Sequence, residues 1–175
     1  MEKAKLVAIK NGGCNIRGTT WRCKYGHVFS MTAGKVCKGK WCTACGASQG
    51  ERELKDILTQ RGVHFIPQAV ISQLPHRMYD FYFQYGNIGY MVEFDGEQHF
   101  KYVRKYHKSK AGFKEAQRID WLKTNTALQA GYRVIRIDYT QKGNIAWHLD
   151  YAVAGGYPLY LSNREMYRYL VTPSM

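Results

Sequence analysis

The sequence predicts an α/β protein in which a small cysteine-rich module precedes a core ordered helix, three strands, helix, strand. Three observations carry this. All the cysteines fall between positions 14 and 45. Residues 51–138 alternate helical spacing with short apolar runs of period two. The helix between the third and fourth runs makes a crossover, which calls for parallel pairing and hence a mixed sheet with the last strand inside it. We divide the chain into a module over 1–48, a core over 49–140 and a C-terminal covering segment over 141–175.

In the module the pattern is Cys23-x3-His27 followed by Cys42-x2-Cys45. Each half is a short turn presenting two ligands, and two such turns make one tetrahedral Zn2+ site. Trp21, Trp41 and Gly26 suit a ribbon whose aromatics cover a metal where there are too few residues for a core. Cys14 with Cys23, Cys42 and Cys45 would serve equally well, so the fourth ligand stays open between Cys14 and His27. Cys37 reads as a free thiol, and a closed four-ligand site reads as structural. Lys35, Lys38 and Lys40 around it suggest contact with phosphates.

Ser48 and Glu51 form a capping box ahead of a helix from Glu51 to Arg61, stopped by Gly62. Val63 to Ser72 is a first strand and Arg77 to Gln84 a second, with Asp80 placed awkwardly between Tyr79 and Phe81. A buried Asp there needs a cation or several donors. Tyr85 to Gly89 is a hairpin turn that returns a third strand beside the second. In that strand, Tyr90 to Phe100, residues Glu93 and Asp95 share a face, and Gly96 lets Glu97, Gln98 and His99 turn back towards its end. The pairing brings Asp80 towards both acids, a set suited to Mg2+ or Mn2+. His99, with an ordinary pKa near neutrality, is a general acid or base.

A basic stretch follows, in which Lys101, Arg104, Lys105, Lys108 and Lys110 alternate with tyrosines, suited to clamping a phosphate backbone. Phe113 to Ala130 reads as an amphipathic helix with Asp120 and Lys123 on nearly one face, and Tyr132 to Asp138 as a strand. Residues 143–170 read as helical and irregular covering, with one helix from Asn144 to Val153 and tyrosines placed for packing.

Composition narrows the partner. Lys and Arg number 26 against 13 Asp and Glu, a formal charge of +13, and that excess favours an anionic polymer. There is no lipidation signal, no signal-peptide core at the start and no apolar run long enough to cross a bilayer, so we expect an intracellular, soluble protein and no membrane partner. A homodimer remains open.

The run Gly50-Glu51-Arg52, Tyr79-Asp80-Phe81, Glu93-Phe-Asp95-Gly-Glu-Gln98-His99, Asp120-x2-Lys123 and Tyr132-Arg-Val-Ile-Arg136 resembles the PD-(D/E)xK, or restriction-endonuclease-like, nucleases. It is most similar to the phage, viral and bacterial branch related to very-short-patch repair and EDxHD homing endonucleases, whose members often carry an N-terminal zinc ribbon. The resemblance implies a Mg2+-dependent DNA endonuclease with Asp80, Glu93 and Asp95 on the metal, Glu51 in support, and Gln98, His99 and Lys123 assisting. Asp95 stands where the family motif has lysine, so His99 or Lys123 must do that lysine's work. The competing expectation is a non-catalytic nucleic-acid-binding module on a decayed nuclease core.

Overall fold

The computed structural model describes residues 1–24, 26–42 and 48–171. Two compact units, Met1–Arg52 and Glu53–Met175, divide the chain.

The first unit opens with α1, Glu2–Lys10, which the sequence reading did not anticipate. A three-stranded antiparallel sheet follows, made of β1 (Cys14–Arg17), β2 (Thr20–Arg22) and β3 (Val28–Ser30), and then the short α2 (Ala33–Cys37). Its core is small: Ala4 and Ala8 of α1, Trp21 and Val36. Trp21 is fully buried and donates its indole N–H to the Met31 carbonyl at 2.7 Å. Trp41 packs edge-on against Trp21 and Phe29. Gly13 is required by that packing, because a Cβ there would come 2.8 Å from the Trp41 ring. Cys45 lies outside the described residues.

Helix α3, Gln49–Gln60, carries the predicted capping box, with Ser48 and Glu51 exchanging hydrogen bonds at 3.0 and 3.1 Å. The second unit is built on a five-stranded sheet in the order β4 (Phe65–Ala69), β5 (Tyr79–Tyr85), β6 (Ile88–Asp95), β7 (Arg133–Asp138), β8 (Leu159–Leu161). The first three strands are antiparallel, and β7 and β8 add in parallel, so the sheet is mixed. A short helix α4 (Arg104–His107) and the long α5 (Lys110–Gln129) connect β6 to β7, and α6 (Ile145–Gly155) connects β7 to β8. The chain described ends on α7, Arg168–Val171.

Strand alternation divides the sheet between two cores. Val92, Phe94, Ile135 and Ile137 face Leu54 and Leu58 of α3 and Ile145, Leu149 and Ala152 of α6. Met91 and Val134 face Ala127 of α5. That second face is also the face of Glu93, Asp95 and Arg136, which therefore lie under α5.

Two departures from the sequence reading matter. The segment read as covering contributes β8, which pairs with β7, so β7 lies inside the sheet as expected but by a strand that was not. Leu159–Leu161 is too short a run to announce a strand by its periodicity, and the pairing is tertiary. In β5, Tyr79 joins the α5-side core while Phe81 and Phe83 join the other. The facing thus changes at Asp80, just where the hydrogen-bonded ladder with β6, which runs from Phe81↔Val92, comes to an end.

Leu54 is fully buried and joins α3 to the sheet. Leu54→Ala should destabilise the second unit by about 2–5 kcal/mol, read as a lowered denaturant midpoint with little change in slope.

Candidate functional site

At the ends of parallel β6 and β7 a buried guanidinium gathers the ionisable groups. Arg136 stands opposite Glu93 in the β6–β7 register and is 1% exposed. A strand cannot hold such a charge in an apolar core unless every donor is met. Arg136 Nε and Nη2 donate to the two oxygens of Asp95 at 2.9 and 2.6 Å. Nη1 donates to Thr124 Oγ1 at 3.0 Å and to the Asp120 carbonyl at 3.3 Å, and Nη2 lies 3.2 Å from Asp120 Oδ1. Tyr167 adds a hydrogen bond from its hydroxyl to Asp95 Oδ2 at 2.7 Å, and Tyr169 one to Asp120 Oδ2 at 3.2 Å.

Past Gly96, a 3-10 turn over Glu97–His99 brings the imidazole back onto this network. His99 Nδ1 lies 2.7 Å from Asp120 Oδ2 and 3.4 Å from Asp95 Oδ1. Burial opposes a charge on this ring, but the hydrogen bond to Asp120 and the neighbouring Asp95 carboxylate outweigh it and raise the pKa above the usual histidine value. For Asp120, burial would raise the carboxyl. The Arg136 guanidinium and the His99 bond prevail and hold it well below the usual carboxylate range. Nδ1 is thus the ring nitrogen held by the two carboxylates.

Glu93 and Lys123 form a second pair beside this one. The Lys123 ammonium lies against Glu93 Oε1 and 5.0 Å from the centre of the Tyr79 ring, while the Tyr79 hydroxyl donates to the Lys123 carbonyl at 2.8 Å. Glu93 Oε1 is buried, and the Lys123 ammonium is the partner that neutralises it. Burial pushes the Glu93 carboxyl above the usual range despite Lys123 and Arg136.

The acids predicted to share one cation do not form one ligand group among the described residues. Asp95 instead groups with His99 and Asp120, all their ligand atoms within 4.8 Å of one another. Asp80 Oδ2 accepts the Phe94 main-chain N–H at 2.7 Å, taking up a strand donor where the ladder stops. Glu51 serves the capping box of the first unit. Gln98 folds its amide over Gly96. The basic residues Lys101, Arg104, Lys105, Lys108 and Lys110 are all exposed. Their segment is anchored by buried His107, whose Nδ1 accepts the Val103 N–H at 3.0 Å.

The sequence reading did not single out Arg136, Tyr167 or Tyr169 for the site. Arg136 did carry a signal, since an arginine amid Val-Ile and Ile on the face of Glu93 and Asp95 must be paired when buried. Tyr167 and Tyr169 carried none, because their partners lie 72 and 49 residues away in the chain.

In the first unit Cys23, His27 and Cys42 converge, with His27 Nδ1 3.3 Å from Cys23 Sγ and 3.8 Å from Cys42 Sγ. Zinc bonds of about 2.3 Å to sulfur and 2.0 Å to nitrogen at tetrahedral angles put such ligands roughly 3.6 Å apart, so the three atoms fit the ion. Cys14 and Cys37 are exposed and outside this group.

These features define a mixed α/β protein with a small Cys–His–Cys unit and a buried acid–histidine–arginine network at the ends of its parallel strands. No family model, curated protein or solved structure matches the chain. No helix among the described residues is long and apolar enough to cross a membrane.

His99, with its raised pKa, adds stability that is full below about pH 6.5 and lost as the pH climbs through the folded value. Asp120, with its lowered pKa, adds stability present above about pH 3.9 and lost as the pH falls through the folded value. NMR titration should place the His99 imidazole above the free-histidine value in the native protein and lower it in Asp120→Asn. In the first unit, metal analysis should find zinc retained by Cys14→Ser and lost from Cys23→Ser, His27→Ala and Cys42→Ser.

Proposed function

We propose that the protein is a metal-dependent DNA endonuclease on a PD-(D/E)xK-like core, with a zinc-stapled N-terminal module. The observation that carries this reading is the His99–Asp120 pair beside the Glu93–Lys123 pair, with an exposed basic segment directly after His99 in the chain. Phosphodiester hydrolysis needs a proton donor or acceptor near neutrality, positive charge for the transition-state anion, and a surface that holds the backbone.

Asp120 orients His99 so that Nε2 handles the proton, and the raised pKa enlarges the imidazolium fraction available to protonate a leaving oxygen. Lys123 supplies positive charge where the family motif's lysine would. It does so from the neighbouring helix, while Asp95 stands at the motif position. Lys101, Arg104, Lys105, Lys108 and Lys110 hold the phosphates flanking the cleaved bond.

The donor set fits a divalent ion in part. Glu93 and Asp80 offer carboxylate oxygens, the ligand type that Mg2+ or Mn2+ takes, with Glu93 Oε1 already neutralised by Lys123. Asp95 does not fit, because Arg136 and Tyr167 occupy both its oxygens. A bound Mg2+ would supply charge neutralisation at the phosphate and a more acidic water. The saturation of Asp95 is also what favours the second reading, a DNA-binding module without catalysis.

Cleavage decides between them. With Mg2+, the purified protein should nick or cut plasmid DNA. Asp80→Ala should abolish cleavage with DNA binding intact, and His99→Gln should lower turnover by about 100-fold or more. Absence of metal-dependent cleavage on duplex, branched, mismatched and single-stranded DNA would leave the binding module.

A further inference from the structure

On the sheet face opposite α5, helix α6 buries Ile145, Leu149 and Ala152 and turns Trp147 and Tyr151 outward. These two rings, one helical turn apart, are 58% and 47% exposed and stack at 5.1 Å with 19° between their planes. Tyr157, past the end of the helix and 38% exposed, continues the row at 5.9 Å and 23°. Tyr151 and Tyr157 each set one side against the buried Tyr160 at 5.9 and 6.1 Å, yet all three rings keep much of their surface in solvent, and large rings exposed side by side are uncommon without a partner.

The row is held rather than loose. A Cβ at Gly155 would come 2.7 Å from Tyr157 Cζ, so only glycine lets that ring lie down over the helix end. Gly156, with φ +62, turns the chain to put it there. The Tyr157 hydroxyl donates to the Tyr151 hydroxyl at 3.4 Å. Beneath Trp147, His148 meets the indole edge-on at 4.9 Å and is itself fixed between the Tyr160 hydroxyl at 2.6 Å and Gln141 Oε1 at 2.9 Å. Burial pulls the His148 pKa down and so favours the neutral ring.

We infer that Trp147, Tyr151 and Tyr157 form a stacking platform for unpaired bases of single-stranded nucleic acid. The rings already stack on one another, so unpaired bases extend the stack from the ends of the row, at Trp147 and Tyr157, since every base has a face to stack. Charge selects the polymer. Asp150, the acid of α6, is neutralised by Arg61 through bonds at 2.6 and 2.9 Å, and the Arg164 charge reaches Tyr157. A second copy of the chain would add another net +13 to a chain already at +13, whereas a nucleic-acid strand complements that charge. The inference rests on nucleic acid being the partner and is independent of cleavage.

The test is fluorescence anisotropy with a labelled oligothymidylate and a duplex of equal length, without added divalent metal so that nothing is cut. Trp147→Leu and Tyr157→Leu should each weaken single-strand binding about tenfold and leave duplex binding unchanged. Gly155→Ala, which displaces Tyr157 without removing it, should weaken single-strand binding in the same direction. Unchanged single-strand affinity in all three variants, with circular dichroism as for the wild type, overturns the platform. So does an equal loss for both polymers, which is the signature of general electrostatics or of unfolding. A wild-type dimer that the Trp147 variant dissociates in sedimentation would make the face a self-interface instead. Duplex binding without single-strand binding defeats the platform alone, and binding of neither polymer defeats the nucleic-acid reading as well.

Discussion

Arg136 is the constraint on which the second unit turns. Its guanidinium binds β6 through Asp95, α5 through Asp120 and Thr124, and lies 5.9 Å from the ring of Tyr167, which closes over Asp95. Desolvating a guanidinium and two carboxylates costs several kcal/mol per ion, roughly what their attraction returns, so the network is weak evidence for net stability. Removing one member is another matter, because the remaining charges stay buried without a counter-ion. What such a network supplies is definition: five donors in a fixed plane admit few arrangements of the groups around them.

That definition is passed on to His99. The ring approaches the network through Nδ1, and the oxygen it meets on Asp120 also accepts from Tyr169. The same carboxylates that neutralise Arg136 therefore orient the imidazole and favour its charged form. Lys123, three residues from Asp120 on α5, meets Glu93, two residues from Asp95 on β6. Helix and strand periodicity thus place two acid–base pairs side by side from one helix–strand contact.

The two faces of the sheet divide the work between charge and aromatic packing. Under α5 an ionic network of Asp95, Asp120, Arg136, Glu93 and Lys123 sits beside a smaller apolar cluster of Met91, Val134 and Ala127. Under α3 and α6 the buried groups are aliphatic and aromatic, and α6 carries its row of exposed rings on the outside. In the small first unit, where Ala4, Ala8, Trp21 and Val36 are the core, a metal among Cys23, His27 and Cys42 would supply cohesion that burial cannot.

Much of this was legible locally. Period-two alternation in β5 to β7, the capping box at Ser48 and Glu51, the turn from Tyr85 to Gly89 and the shared face of Glu93 and Asp95 all follow from neighbours within a few residues. So does the ligand spacing of Cys23 and His27. By itself, then, the sequence determined the core's helices and first four strands, their order, the basic charge and the shared face of Glu93 and Asp95. Only the tertiary structure decided that Asp80 caps Phe94, that Asp95 serves Arg136 and that His99 answers to Asp120. Short-range periodicity sets the face a side chain points from, but its partner is chosen by charge neutralisation in a low-dielectric core, among residues up to 72 positions apart.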